Sequence, residues 1–192
     1  MKGGMIKMEI RDFEKDLITS NNPILLKNWD TIFKKVFGEC EIQWKENCSV
    51  SQLSFGADVL IVTKRGRKYS IDVKTRRSDY LNNPFWLMEI AHHIYTDETR
   101  KEKVSTEAGW LYKSTADIIF FGTTAEDKTT IKEVCAFSLT PFKDEEFKSE
   151  ISKFDNGWAS SKRGNRFWLT LNKKITLDFI RENAHKFWYI KE

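Results

Sequence analysis

The sequence predicts a mixed α/β domain, and three features predict it. These are an amphipathic helical stretch after Pro23, a strand pair hinged on Gly66, and a short apolar run at 117–122 that reads as a buried strand. The 192 residues suit one compact domain, and 40% hydrophobic with 31% charged residues is a globular balance. A single domain over 1–192 is expected, its core over about 8–123 and a helix-strand-helix extension over about 131–192.

Taken in order, Ile10, Phe13 and Leu17 fall on one helical stripe. Leu25, Trp29, Ile32, Phe33, Val36 and Phe37 form a second, opened by Pro23 and ended by Gly38. Strand-like runs at 41–44, 57–63 and 68–74 make an antiparallel meander. Asn82, Asn83 and Pro84 break the chain before an apolar segment at 85–90, and 107–115 reads as a helix leading into the buried strand. The resulting order is helix, three strands, helix, strand. Beyond it, Thr140 and Pro141 cap a helix carrying Phe147, Ile151 and Phe154 to Gly157. A basic loop of Lys162, Arg163 and Arg166 precedes a strand at 167–171, and Thr176 caps a closing helix with Leu177, Ile180 and Phe187.

Several classes are disfavoured. The longest apolar runs, 59–62 and 118–121, are far short of the roughly 20 residues that cross a bilayer, and 1–8 holds no secretory apolar stretch. A cytoplasmic chain without a membrane partner is expected. Cys40, Cys48 and Cys135 have no CxxC spacing, so neither a disulfide framework nor a zinc site is indicated. Adjacent His92 and His93 do not converge on one ion and read as structural. Net charge is only +4, but seven basic residues lie between Lys64 and Arg77 against one acid, Asp72. Such a local excess attracts phosphate.

The hairpin carries the candidate chemistry. A three-residue loop, Lys64-Arg65-Gly66, with Gly66 in the left-handed position, pairs Thr63 with Arg67. Counting back, Asp58 falls opposite Asp72, at the separation of about 4.5 to 5.5 Å between facing Cβ atoms. Alternation puts Tyr69, Ile71 and Val73 on one face and Ser70, Asp72 and Lys74 on the other. Two facing acids with a lysine can hold a hard divalent ion and keep a cation beside a phosphate, whereas the plainer reading is an ion-pair network with Lys74 and Arg76.

With these residues the sequence resembles the PD-(D/E)XK nuclease superfamily, Asp58 standing for the first acid and Asp72-Val73-Lys74 for the (D/E)xK triplet. Ala57 stands where the superfamily name has proline. Phe13-Glu14-Lys15-Asp16-Leu17, Phe55-Gly56-Ala57-Asp58, the segment 71–80, and Gly109-Trp110 with Lys113 and Asp117 look like small phage and prophage-type nucleases, over roughly 13–121. Those proteins commonly have glutamate where Val73 stands, so Asp72 is the only triplet carboxylate here.

The resemblance implies a restriction-endonuclease-like αβββαβ core, a mixed central sheet flanked by helices, and hydrolysis of DNA phosphodiesters with magnesium or manganese. Asp58, Asp72 and the Val73 carbonyl would hold the ion, and Lys74 would orient or deprotonate the attacking water. Glu14 fits the first-helix glutamate of the superfamily, and its spacing from Ile10 and Leu17 turns it toward the domain. Glu89 is a further acid, for which pairing with Arg76 or Arg77 is the plainer reading. Arg76, Arg77, Lys113, Lys162, Arg163 and Arg166 are candidate phosphate contacts, and Trp158 and Trp168 candidate stacking residues. The expected partner is DNA, duplex, branched or single-stranded, and a homodimer is compatible although no residue marks an interface. The rival reading is a non-catalytic nucleic-acid-binding or phage-host protein-interaction module on the same fold.

Overall fold

The computed structural model describes residues 10–12, 22–45 and 56–192, with side chains described from residue 22 onward except that of Arg163. Strand β1 is Ile10–Asp12 and helix α1 is Pro23–Phe37, followed by β2 (Cys40–Trp44), β3 (Val59–Thr63) and β4 (Lys68–Arg76). Next come β5 (Phe85–Tyr95), β6 (Lys103–Ala108), the short helix α2 (Trp110–Lys113), β7 (Ile118–Thr124) and β8 (Ile131–Ser138). The chain closes with α3 (Glu145–Ser152), β9 (Asn156–Arg163), β10 (Arg166–Thr176), α4 (Leu177–Asn183) and β11 (Phe187–Lys191). The class is mixed α/β, as expected.

The strands form two sheets. One has the order β11-β8-β7-β4-β3-β2, antiparallel except where β4 runs parallel to β7. The other has the order β1-β9-β10-β5-β6, antiparallel except for the β1–β9 pair. The six-stranded sheet is covered on both faces, so β7 is buried at every residue and reads as a continuous apolar run rather than an alternation.

Helix α1 follows its sequence signals. Asn22 accepts the Ile24 N–H at 2.9 Å, Pro23 occupies the first turn, and Gly38, at φ 73°, ends the helix by donating its N–H to Lys34. Its stripe of Leu25, Trp29, Ile32 and Phe33 packs on Val59, Ile61, Ile71, Ile118 and Phe120 on one face of the six-stranded sheet. On the opposite face Ile119, Phe121 and Phe137 meet Trp86 and Met88 of β5, with Leu111, Ile151 and Ile180 from the three shorter helices. That second face, between the two sheets, is where Asp72 points.

Three sequence expectations are corrected. Residues 10–12 are strand, not helix: Ile10 lies opposite Ser160 on β9, and this distant pairing satisfies their backbone polar groups in a way local periodicity cannot reveal. Phe13, Glu14 and Leu17 lie outside the described residues. The helix expected at 107–115 shrinks to Trp110–Lys113, because Lys103–Ala108 pairs with β5 and Gly109 is pressed onto the chain there. A Cβ on Gly109 would stand 2.3 Å from the Glu89 carbonyl oxygen, so only glycine fits. The C-terminal third is no helix-strand-helix appendage: β8 and β11 complete the first sheet, and β9 and β10 build the second.

Candidate functional site

The loop at Gly66 forms as expected. Gly66 has φ 75°, Thr63 N–H donates to the Arg67 carbonyl at 2.9 Å, and the register Val59 to Ile71, Leu60 to Ser70 and Ile61 to Tyr69 extrapolates to Asp58 against Asp72. The ladder itself stops at Val59. Asp58 lies just before β3; its N–H donates to Ile71 O (2.8 Å) and its Oδ2 accepts the Val73 N–H (2.9 Å), so a carboxylate replaces the next backbone rung. The Val73 carbonyl, which in an extended strand points the same way as its N–H, faces Asp58.

Tyr69, Ile71 and Val73 turn to α1, and Asp72 turns to the other face, as alternation requires. Asp72 is 1% exposed, and Lys74 Nζ donates to its Oδ1 at 2.5 Å while remaining one-third exposed. The Ser114 hydroxyl acts on the same carboxylate from nearby, but Oδ2 is buried without a partner in hydrogen-bond geometry. Burial pushes the Asp72 carboxyl up to about 6, Lys74 pulls against this, and the Asp58 charge adds to the rise. For Lys74, burial acts downward but is outweighed by Asp72, Asp58 and Glu89, which hold its ammonium above the ordinary lysine value. The cluster therefore has two crowded acids around a firmly protonated lysine.

Three further groups join this cluster: Glu89, which the sequence offered as a candidate acid, and His92 and Lys143, which it did not place there. Glu89 takes the Trp110 N–H (3.2 Å) on Oε1 and pairs through the same oxygen with His92 Nε2 (2.7 Å), not with Arg76 or Arg77. Residues three apart on a strand normally face opposite ways. Here the register of β5 and β10 slips between Leu171 and Asn172, making Ile90 an extra residue that brings Glu89 and His92 together. His92 Nδ1 lies 3.0 Å from Thr170 Oγ1, while His93 bonds Thr106 Oγ1, so the two histidines have separate structural partners. Lys143 donates to the Ser114 carbonyl; burial lowers its pKa, and the charges of Asp72 and Asp117 act against that. The Glu89–His92 contact had no sequence signal, because it depends on a bulge.

The remaining candidates separate. Arg76, on the same face as Asp72 and Lys74, is folded inside: its side chain is 8% exposed, its Nε and Nη2 donate to Thr123 Oγ1 and its guanidinium lies 3.6 Å from the Trp86 ring centre. It is withdrawn as a phosphate contact, since a fully engaged buried guanidinium cannot reach solvent. Arg77 is exposed and pairs with Asp79 (3.2 Å), and Lys113 pairs with Glu107 (2.7 Å). Lys162 and Arg166 are exposed beside the β9–β10 turn, where Arg163 also lies. Trp158 is 44% exposed near His93, whereas Trp168 packs edge-on against His92.

Among the described residues no group of three or more His, Cys, Asp or Glu side chains converges as a ready metal site. None of their helices is long and apolar enough to cross a membrane. Compared with protein-family models, curated proteins and solved structures, the chain gives no significant match.

Proposed function

We propose that the chain is a metal-dependent nuclease that hydrolyses DNA phosphodiester bonds at Asp58, Asp72 and Lys74. The observation that carries this reading is Asp72 Oδ2, a buried carboxylate oxygen with no hydrogen-bond partner and with a second carboxylate close by. Buried charge left in that state is costly, and a hard cation relieves both the missing partner and the repulsion. The donor set fits magnesium or manganese: Asp58, Asp72 and the Val73 carbonyl are oxygen ligands, and magnesium commonly takes only one or two carboxylates and keeps water for the rest. When bound, such an ion polarises a phosphate oxygen and makes water a better nucleophile.

The chain's own residues do the rest. Lys74, held protonated by its acidic neighbours, acts as a cation that offsets charge developing on the phosphate oxygens and orients the attacking water, and not as the base that removes its proton. Asp58 is set in place by the Val73 N–H. Glu89, fixed by Trp110 N–H and His92, adds a third carboxylate to the field around Lys74. The succession α1, β2, β3 and β4, then α2 and β7 after β5 and β6 have entered the other sheet, with β4 parallel to β7, supports a restriction-endonuclease-like core. The test is degradation of plasmid, linear duplex and single-stranded DNA with magnesium or manganese. Wild type is expected to cut at least one substrate and lose the activity in EDTA, and Lys74→Ala to be slower by about 10²- to 10³-fold, as for loss of one charge-stabilising donor. No cleavage of any substrate by pure wild type would sink the proposal.

A further inference from the structure

On the face opposite Asp72, beside the Gly66 turn, lies an open cleft of about 490 Å³ between the end of α1, the β3–β4 turn and β11. Phe37, Tyr69 and Trp188 form its aromatic floor. Phe37 stacks on Tyr69 (5.3 Å between centres, 28° between planes) and lies 5.9 Å from Trp188, which is itself backed by Phe120. Arg65, Arg67 and Lys186, all exposed, supply cations at its rim.

The charge there is unbalanced. Lys186 Nζ is 3.0 Å from the Tyr69 hydroxyl and 4.2 Å from its ring centre, and Arg67 acts on the same hydroxyl. Two cations thus share one phenol hydroxyl. Among the described residues the one acid lining the cleft, Glu39, is engaged by Lys64 at 2.8 Å. A phosphate would relieve this repulsion, and an aromatic floor beside it suits a base. Bases in a duplex are stacked on each other and cannot lie on such a floor, which selects an unpaired strand.

We infer that this cleft binds a segment of single-stranded nucleic acid, with Arg65, Arg67 and Lys186 on phosphates and the Phe37–Tyr69–Trp188 floor under a base. The site goes beyond the nuclease reading and stands without it. Both arginines sit on an exposed turn, so reversing them leaves the core untouched. The experiment uses full-length Lys74→Ala protein in EDTA, so that no cleavage enters, and measures anisotropy of a short labelled single-stranded oligonucleotide across a salt series. Adding Arg65→Glu and Arg67→Glu is expected to weaken binding several-fold and to flatten the slope of log K against log salt by about 1.4, at about 0.7 per phosphate contact on a single strand. An abasic strand of equal length is expected to bind at least about fivefold more weakly than the base-bearing one, the lower end of one stacked base. Unchanged affinity and slope in the reversed protein would overturn the inference, as would equal binding of the abasic strand or tighter binding of duplex.

Discussion

Strand β4 carries on one face two ion pairs that each contain a buried acid, Asp72 with Lys74 and, one step further along, Arg76 with Glu133, and they are built for different ends. Around Arg76 the charges are enclosed: Thr123 takes two guanidinium donors, Trp86 covers its plane, and Tyr189 donates to Glu133 Oε1 at 2.5 Å. Glu133 Oε2 has no hydrogen bond, but the group it faces at 3.8 Å is the guanidinium. Burial lowers the Arg76 pKa to about 10, which still leaves it charged at neutral pH, and burial with the Glu133 contact pushes Tyr189 up to about 12. Around Asp72 the free oxygen has a like-charged neighbour, Asp58, and the lysine is one-third open to solvent. Two carboxylates equally withdrawn from solvent therefore need not have the same role. The unpaired oxygen of Glu133 faces a cation, whereas that of Asp72 belongs to a carboxylate with a second acid nearby, the arrangement on which the metal proposal rests.

The contrast can be broken at either pair. The largest effect is expected from Arg76→Ala, which strands Glu133 inside the fold and should cost about 3–5 kcal/mol in denaturant unfolding. A loss below about 1 kcal/mol would show that the enclosed pair does not anchor the fold. Next is Asp72→Asn in metal-free buffer. Because the folded Asp72 carboxyl titrates at about 6, above its ordinary 3.8, keeping it ionised costs stability. This penalty is fully present above pH 6 and fades as pH falls toward 4. The substitution should raise stability at pH 7.5 by on the order of 1–2 kcal/mol and by about half as much at pH 5, and on the nuclease proposal it should abolish cleavage. On the metal-site proposal, manganese should raise the melting temperature of wild type at pH 7.5 and hardly at pH 5, since protonating Asp72 would remove a ligand. A stability gap that widened on acidification would reverse the electrostatic picture. The smallest effect belongs to Lys113→Ala, whose partner Glu107 is as open as itself. Its melting temperature should match wild type, because exposed pairs contribute little.

How much was legible in the sequence follows from the range of the interactions. Loop length and a single glycine determine the register of β3 on β4, so the approach of Asp58 to Asp72, and the sharing of one face by Asp72 and Lys74, could be counted out residue by residue. The capping of α1 and the buried run of β7 were equally local. Arg76 was misjudged because alternation gives its face but not its cover. Trp86 and Thr123 arrive from β5 and β7, and only their arrival turned a surface cation into a core one.

The sequence by itself determined the helix, the hairpin, and the two acids and lysine gathered at the hairpin's open end, all products of turn chemistry and strand periodicity over a few residues. The tertiary structure alone decided that the C-terminal third would complete one sheet and build another, that a bulge would bring Glu89 to His92, and that three aromatic rings from distant segments would floor a basic cleft. Pairing between strands some eighty residues apart, such as β5 and β10, is settled by which buried surfaces fit, and no local pattern encodes that choice.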